Sequence, residues 1–164
     1  MIYLHKIGWF VGLVLLQVLI LNNVHIAGYA TPFLYIYLIL KFNSEISRNT
    51  LMVWAFFLGL TVDIFSDTPG MNAAATVWLA FLRPTLLRLF VPRDKLDNLT
   101  PAISTMGIAP FFKYVVACVL MHHFVLILLE SFSLTHPLQL LLRMLSCILL
   151  TVGCVIALEG IHKK

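Results

Sequence analysis

Long apolar runs separated by short polar breaks dominate the chain. Six runs stand out, at residues 7–22, 32–42, 50–65, 71–91, 109–132 and 138–160. A helix that crosses the hydrocarbon core of a bilayer takes roughly 20 mostly apolar residues. The run at 32–42 is short by that measure and is expected either to thin the membrane locally or to pack inside a bundle. The breaks carry turn chemistry: Asn22-Asn23, Ala30-Thr31-Pro32, Asp67-Thr68-Pro69-Gly70 and Thr135-His136-Pro137. The pattern predicts an all-α fold, a polytopic transmembrane helix bundle of about six spans forming one integral membrane domain over residues 1–164.

Composition reinforces the pattern. Of 164 residues, 61% are hydrophobic and 11% charged, against about 25% charged in a soluble domain. The mean hydropathy is +0.99. A small domain cannot hide this much apolar surface from water, and lipid removes the need.

Charge then orients the bundle. Lysine and arginine stay on the cytoplasmic side of bacterial-type membranes. With six spans and both termini cytoplasmic, the inner segments hold Lys6, Lys41, Arg48, Arg83, Arg88, Arg93, Lys95, Lys113, Lys163 and Lys164. Of the 11 basic residues only Arg143, inside the sixth run, falls outside the rule. The net charge of +4 does not point to nucleic acid, because basic residues alternate with apolar runs and share their loops with acids. The inner connection VPRDKLDNLTPAISTMGI, residues 91–108, is the longest. It reads as a solvated loop beside lipid headgroups or as a cytoplasmic docking surface, with Arg83, Arg88, Arg93 and Lys95 as its basic face. The first run could also be taken for a signal peptide, with Lys6 before it and Gly28-Tyr29-Ala30 as a small-residue cleavage site. A membrane span is the expectation there, since the cut would fall well past the apolar run.

Charge at membrane depth is costly and is normally paired or wetted. Asp63 lies near the outer end of the third run, and Arg143 about two turns into the sixth. Comparable depth predicts an intramembrane ion pair Asp63–Arg143, or a link through polar neighbours such as Asn72. The competing reading has Arg143 snorkelling to the headgroups while Asp63 caps its own turn. His122 and His123 occupy the middle of the fifth run and point about 100° apart, which suits interhelical hydrogen bonds better than a shared metal. His25 and His136 are expected in outer loops. Cys118, Cys147 and Cys154 lie in apolar runs without metal spacing and read as small hydrophobes. Gly8 with Gly12, and Gly153 with Ala157, have the small-residue spacing of tight helix contacts. Trp9, Tyr29, Tyr35, Trp54 and Phe111 read as interfacial anchors, and Trp78 as packed in the bundle. No acid, base or nucleophile can be assigned; no metal or cofactor is expected.

The junction of the third and fourth runs reads GLTVDIFSDTPGMNAAATVWLAFLR, residues 59–83. It resembles the bacterial rod shape-determining MreD family, with Gly59, Leu60, Asp63, Gly70, Asn72 and Ala73 at the matching positions. The chain length, the short polar loops, the Asn22-Asn23 ending and the basic Lys163-Lys164 end agree with that family's layout. The resemblance implies a non-enzymatic scaffold in the inner membrane, beside an MreC-like protein, a penicillin-binding transpeptidase and a RodA-type glycosyltransferase. It would keep peptidoglycan synthesis in register with the MreB filament. The family also looks similar in architecture to the membrane substrate-binding components of energy-coupling-factor transporters, a fold-level analogy. The alternative function is therefore a small-ligand, vitamin-type binding component of a transporter, with Asp63, Asn72, Arg143 and His136 around a pocket.

Overall fold

The computed structural model describes residues 2–23, 31–130 and 137–162. Gly28-Tyr29-Ala30, His25, His136, Lys163 and Lys164 lie outside them. The helices are α1 (Ile2–Leu19), α2 (Tyr37–Leu40), α3 (Arg48–Ser66), α4 (Met71–Phe90), α5 (Ile103–Met106), α6 (Ile108–Glu130) and α7 (Pro137–His162). Single 3-10 turns stand at Leu21–Asn23, Leu34–Ile36 and Arg93–Lys95. Five helices, α1, α3, α4, α6 and α7, are long and apolar enough to cross a membrane. The chain is a multi-pass, all-helical membrane bundle.

Local chemistry sets the helix ends. The Ser47 hydroxyl accepts the Thr50 N–H at 3.2 Å and starts α3. Asp67 closes α3 in the left-handed conformation, φ 53°, and Gly70, φ 81°, opens α4. Pro84 sits inside α4, so the Ala80 carbonyl loses its intrahelical donor.

Contacts between elements sort the helix ends into two sets. At the Asp63 end, Asn22 donates to Ser66 at 2.6 Å, bringing the C-termini of α1 and α3 together. Arg143 meets Glu130 at 2.8 Å there, joining the start of α7 to the end of α6. At the Arg83 end, Lys6 lies 4.6 Å over the Phe42 ring, Arg48 lies 4.8 Å over Phe81, and the Ile103 N–H donates to Glu159 at 3.1 Å. Helices α1 and α3 therefore run parallel, and the chain between them must return from one end to the other. Residues 32–42 make that return without a full-length helix. Pro32 accepts from Gln17 at 2.9 Å near the Asp63 end, and Lys41 pairs with Glu159 at 3.0 Å at the other.

Every residue from Leu34 to Leu40 is buried. The short run thus packs within the bundle, the second of the two outcomes open to it. An irregular backbone at that depth needs protein partners, because lipid offers none. The helices around it supply them. Gln17 Oε1 accepts the Leu34 N–H at 2.8 Å, and Thr151 Oγ1 accepts the Phe33 N–H at 3.0 Å. Tyr114 donates to the Leu40 carbonyl at 3.2 Å. Arg83 donates to that carbonyl at 3.1 Å and also to Phe42 O.

The small residues divide into two groups. At Gly59, a Cβ would lie 2.4 Å from Thr76 Oγ1 and 2.5 Å from Ala73 Cα. Here α3 and α4 touch backbone to backbone. Gly8, Gly12 and Gly153 have nothing among the described residues within 4 Å of the same point, so these three face away from the helices packed in the bundle and do not tighten it. Trp78 is likewise outward, 45% exposed and stacked on Phe81, which corrects its expected place in the interior.

Candidate functional site

The polar chemistry of the interior is concentrated in a line of side chains running from α3 to α6. It starts at Asp63, buried at 3% exposure. Its Oδ1 accepts from the Asn72 N–H (3.0 Å), the Asn72 side-chain amide (2.9 Å) and the Thr68 hydroxyl (2.9 Å). Its Oδ2 accepts the Ala73 N–H at 2.9 Å. Asn72 and Ala73 stand in the first turn of α4, whose N–H groups have no intrahelical acceptors. A carboxylate from α3 therefore caps α4 and faces the positive end of its dipole. Asp63 needs no cation.

The expected Asp63–Arg143 pair is accordingly replaced. Arg143 is 44% exposed at the side chain and pairs with Glu130 of α6, a residue the sequence reading did not weigh. Asp63 does bond Asn72, but Asn72 goes on to Tyr35 and Thr68 and not to Arg143, so the link between the two charges through Asn72 is not formed either. The match of depth between Asp63 and Arg143 carried no information about azimuth, and the two face different neighbours.

From Asn72 the line continues. Tyr35 donates to Asn72 Oδ1 at 2.8 Å, since the amide nitrogen is already engaged with Asp63. The Tyr35 oxygen lies 2.9 Å from His122 Nε2. With the phenol proton committed to Asn72, His122 must donate from Nε2, so its Nδ1 carries a bare lone pair. That nitrogen is buried and has no hydrogen-bond partner among the described residues. His123 turns the other way. Its Nδ1 donates to the Val119 carbonyl at 2.9 Å, and Thr151 lies 3.3 Å from its Nε2. The two histidines join separate hydrogen bonds, as their angular offset predicts. Phe33 lies edge-on to His123 at 5.3 Å and tilted to His122 at 6.1 Å. The line can hold four elements in one arrangement.

The motif residues play distinct parts. Gly59 and Ala73 form the close approach, Asp63 and Asn72 the cap, and Gly70 the left-handed entry to α4. Leu60 is half-buried on α3.

At the Arg83 end a second polar group forms around Glu159, which sequence reasoning missed. Tyr37 donates to it at 2.8 Å and Lys41 at 3.0 Å. The available signal was an acid at the end of a run whose partner segments are otherwise basic. Of the basic face assigned to the inner loop, Arg88, Arg93 and Lys95 are exposed. Arg83 is not part of that surface. It is 1% exposed, and its Nε donates to Tyr114 at 2.9 Å.

Cys118 and Cys147 are buried and Cys154 half-buried, all as free thiols. Among the described residues no three His, Cys, Asp or Glu side chains converge as a metal site would require. No protein-family model, curated protein or solved structure matches this chain.

Proposed function

We propose that the protein is a non-enzymatic membrane scaffold of the bacterial cell-elongation machinery, of the MreD type. In this reading it crosses the inner membrane six times, the second time through the buried segment 32–42, with both termini cytoplasmic. The lysine and arginine distribution supports that orientation. The architecture would resemble that of the substrate-binding membrane components of energy-coupling-factor transporters.

The observation that carries the reading is the outer face of α1. It is the least buried of the five long helices. Ile7, Val11, Leu15 and Leu19 recur every four residues and are each 48% exposed or more. Gly8 and Gly12 lie open beside them. A smooth apolar stripe with small residues receives another transmembrane helix by close packing, as a single-span MreC-like partner would supply. The penicillin-binding transpeptidase and RodA-type glycosyltransferase would then be held in the same assembly. Extraction in mild detergent and identification of co-purifying proteins tests this. Elongation proteins should come along, and depletion should round the cells. Co-purification of none of them, with normal rods on depletion, would end the proposal.

One observation favours a second reading, that of a vitamin-type ligand-binding component. It is the bare His122 Nδ1, a buried acceptor without a donor among the described residues. A bound small molecule in mass spectra of the purified protein, together with ATPase subunits, would support that role instead.

A further inference from the structure

Beside the buried Arg83, a cavity of about 570 Å³ opens at the end of α4. Its polar lining comprises Arg83, Arg88 and Arg93 with Ser44, Glu45 and Asp97. Ser44 is already engaged, donating to the Leu96 carbonyl and accepting the Leu99 N–H at 2.9 Å. The two carboxylates are on exposed residues. The deepest charged group is Arg83, and its partners are all neutral: the Tyr114 hydroxyl and the Leu40 and Phe42 carbonyls. They take Nε and Nη2 and leave Nη1 without a bond among the described residues. A guanidinium this buried, with no carboxylate against it, carries charge that the protein does not neutralise. Arg88 and Arg93 take no ion pair among the described residues either.

We infer that this cavity binds the phosphate of an anionic membrane lipid. Three arginines are among its lining residues, and guanidinium is suited to forked donation to phosphate oxygens. The volume is in the range of small-molecule sites. The choice of a lipid over a soluble anion follows from position. The cavity stands at one end of a membrane helix, where headgroups lie. The carbonyl end of α4 gives an anion no help, so binding rests on the guanidinium groups. This inference needs the protein to sit in a membrane and does not depend on the scaffold reading.

The test uses the full-length protein, stripped of lipid in detergent. It is offered equal amounts of phosphatidylglycerol and phosphatidylcholine and read by native mass spectrometry. We expect one phosphatidylglycerol to be retained with a preference on the order of tenfold, from cationic attraction of surface arginines. The double variant R88Q/R93Q should bring the preference close to parity while keeping its thermal stability in phosphatidylcholine, because neither side chain has a partner to lose. Arg83→Gln should abolish retention, but its loss also strips the segment 32–42 of donors, so the double variant decides. Parity in the wild type would overturn the assignment, as would an unchanged preference in R88Q/R93Q. So would inorganic phosphate stabilising the protein as well as phosphatidylglycerol does, which would make this a soluble-anion site.

Discussion

A buried carboxylate is tolerable when its negative charge is matched, and the match at Asp63 comes from a helix terminus, not from a cation. Removing it by Asp63→Ala leaves the Asn72 and Ala73 N–H groups without acceptors in a buried place. Each unsatisfied donor costs about 1–3 kcal/mol, so D63A should lower the midpoint of detergent unfolding substantially. Asp63→Glu, which keeps the charge but displaces it, should lose less. A D63A protein as stable as wild type would remove the capping role. Arg143 gives the contrasting case. Its pair with Glu130 is part-exposed, where ion pairs contribute about 0–1 kcal/mol. R143E should therefore destabilise only slightly, and adding E130R should restore what is lost. Adding D63R to R143E should make matters worse. Double-variant cycles read by unfolding distinguish these outcomes, and rescue by D63R would restore the partner expected from depth alone.

At the scale of elements, the unusual unit is the buried return of residues 32–42. Apart from the gap that Pro84 leaves in α4, the five long helices satisfy their backbones internally along their length, whereas this segment borrows donors and acceptors from its neighbours. Gln17 serves it twice, at the Pro32 carbonyl and the Leu34 N–H. Replacing it by the near-isosteric Leu orphans both groups, so Q17L should cost about 2 kcal/mol or more. That exceeds the about 0.6 kcal/mol average for an interhelical hydrogen bond in a membrane. Hydrogen exchange at Leu34 reads it directly: the amide should be protected in the wild type and exchange faster in Q17L. The α3–α4 hairpin should respond to volume instead. Gly59→Val pushes methyl groups into the Ala73 backbone, an overpacking worth about 1–3 kcal/mol, while Gly8→Leu should leave stability unchanged and weaken only capture of a single-span partner. Much of this level is legible in the sequence. Run 50–65 becomes Arg48–Ser66, run 71–91 becomes Met71–Phe90, and run 109–132 becomes Ile108–Glu130, because apolar length and turn residues are one-dimensional signals. Facing is less legible. Gly12 and Gly59 look alike in an apolar run, yet one meets lipid-side space and the other a backbone. Gln17, Thr151 and Tyr114 drew no notice, because their purpose appears only once the segment they satisfy is in place.

For the molecule as a whole, the parallel course of α1 and α3 constrains how the chain can lie in a membrane. The link from Asn22 to Ser66 fixes their C-termini at one end. Asn43 and Asn98, 2.6 Å apart, fix the 43–45 turn beside the 96–99 loop at the other. Positions 45 and 98 must then share one side of the bilayer, with position 67 opposite. If 32–42 entered and left on one side, α3 would have to run against α1, and the Asn22–Ser66 bond could not form. A set of single-cysteine proteins tests this in intact cells, after Cys118, Cys147 and Cys154 are replaced by alanine. D67C should react with a membrane-impermeant maleimide from outside. E45C and N98C should react only after the inner membrane is permeabilised, as the proposed cytoplasmic placement of Arg88, Arg93 and Lys95 requires. Labelling of E45C together with D67C from outside would mean that α3 does not cross. Labelling of E45C and N98C from outside, with D67C protected, would invert the fold and place the arginine cavity on the outer face if K6C is labelled with them, and would mean that the short segment does not cross if K6C stays protected.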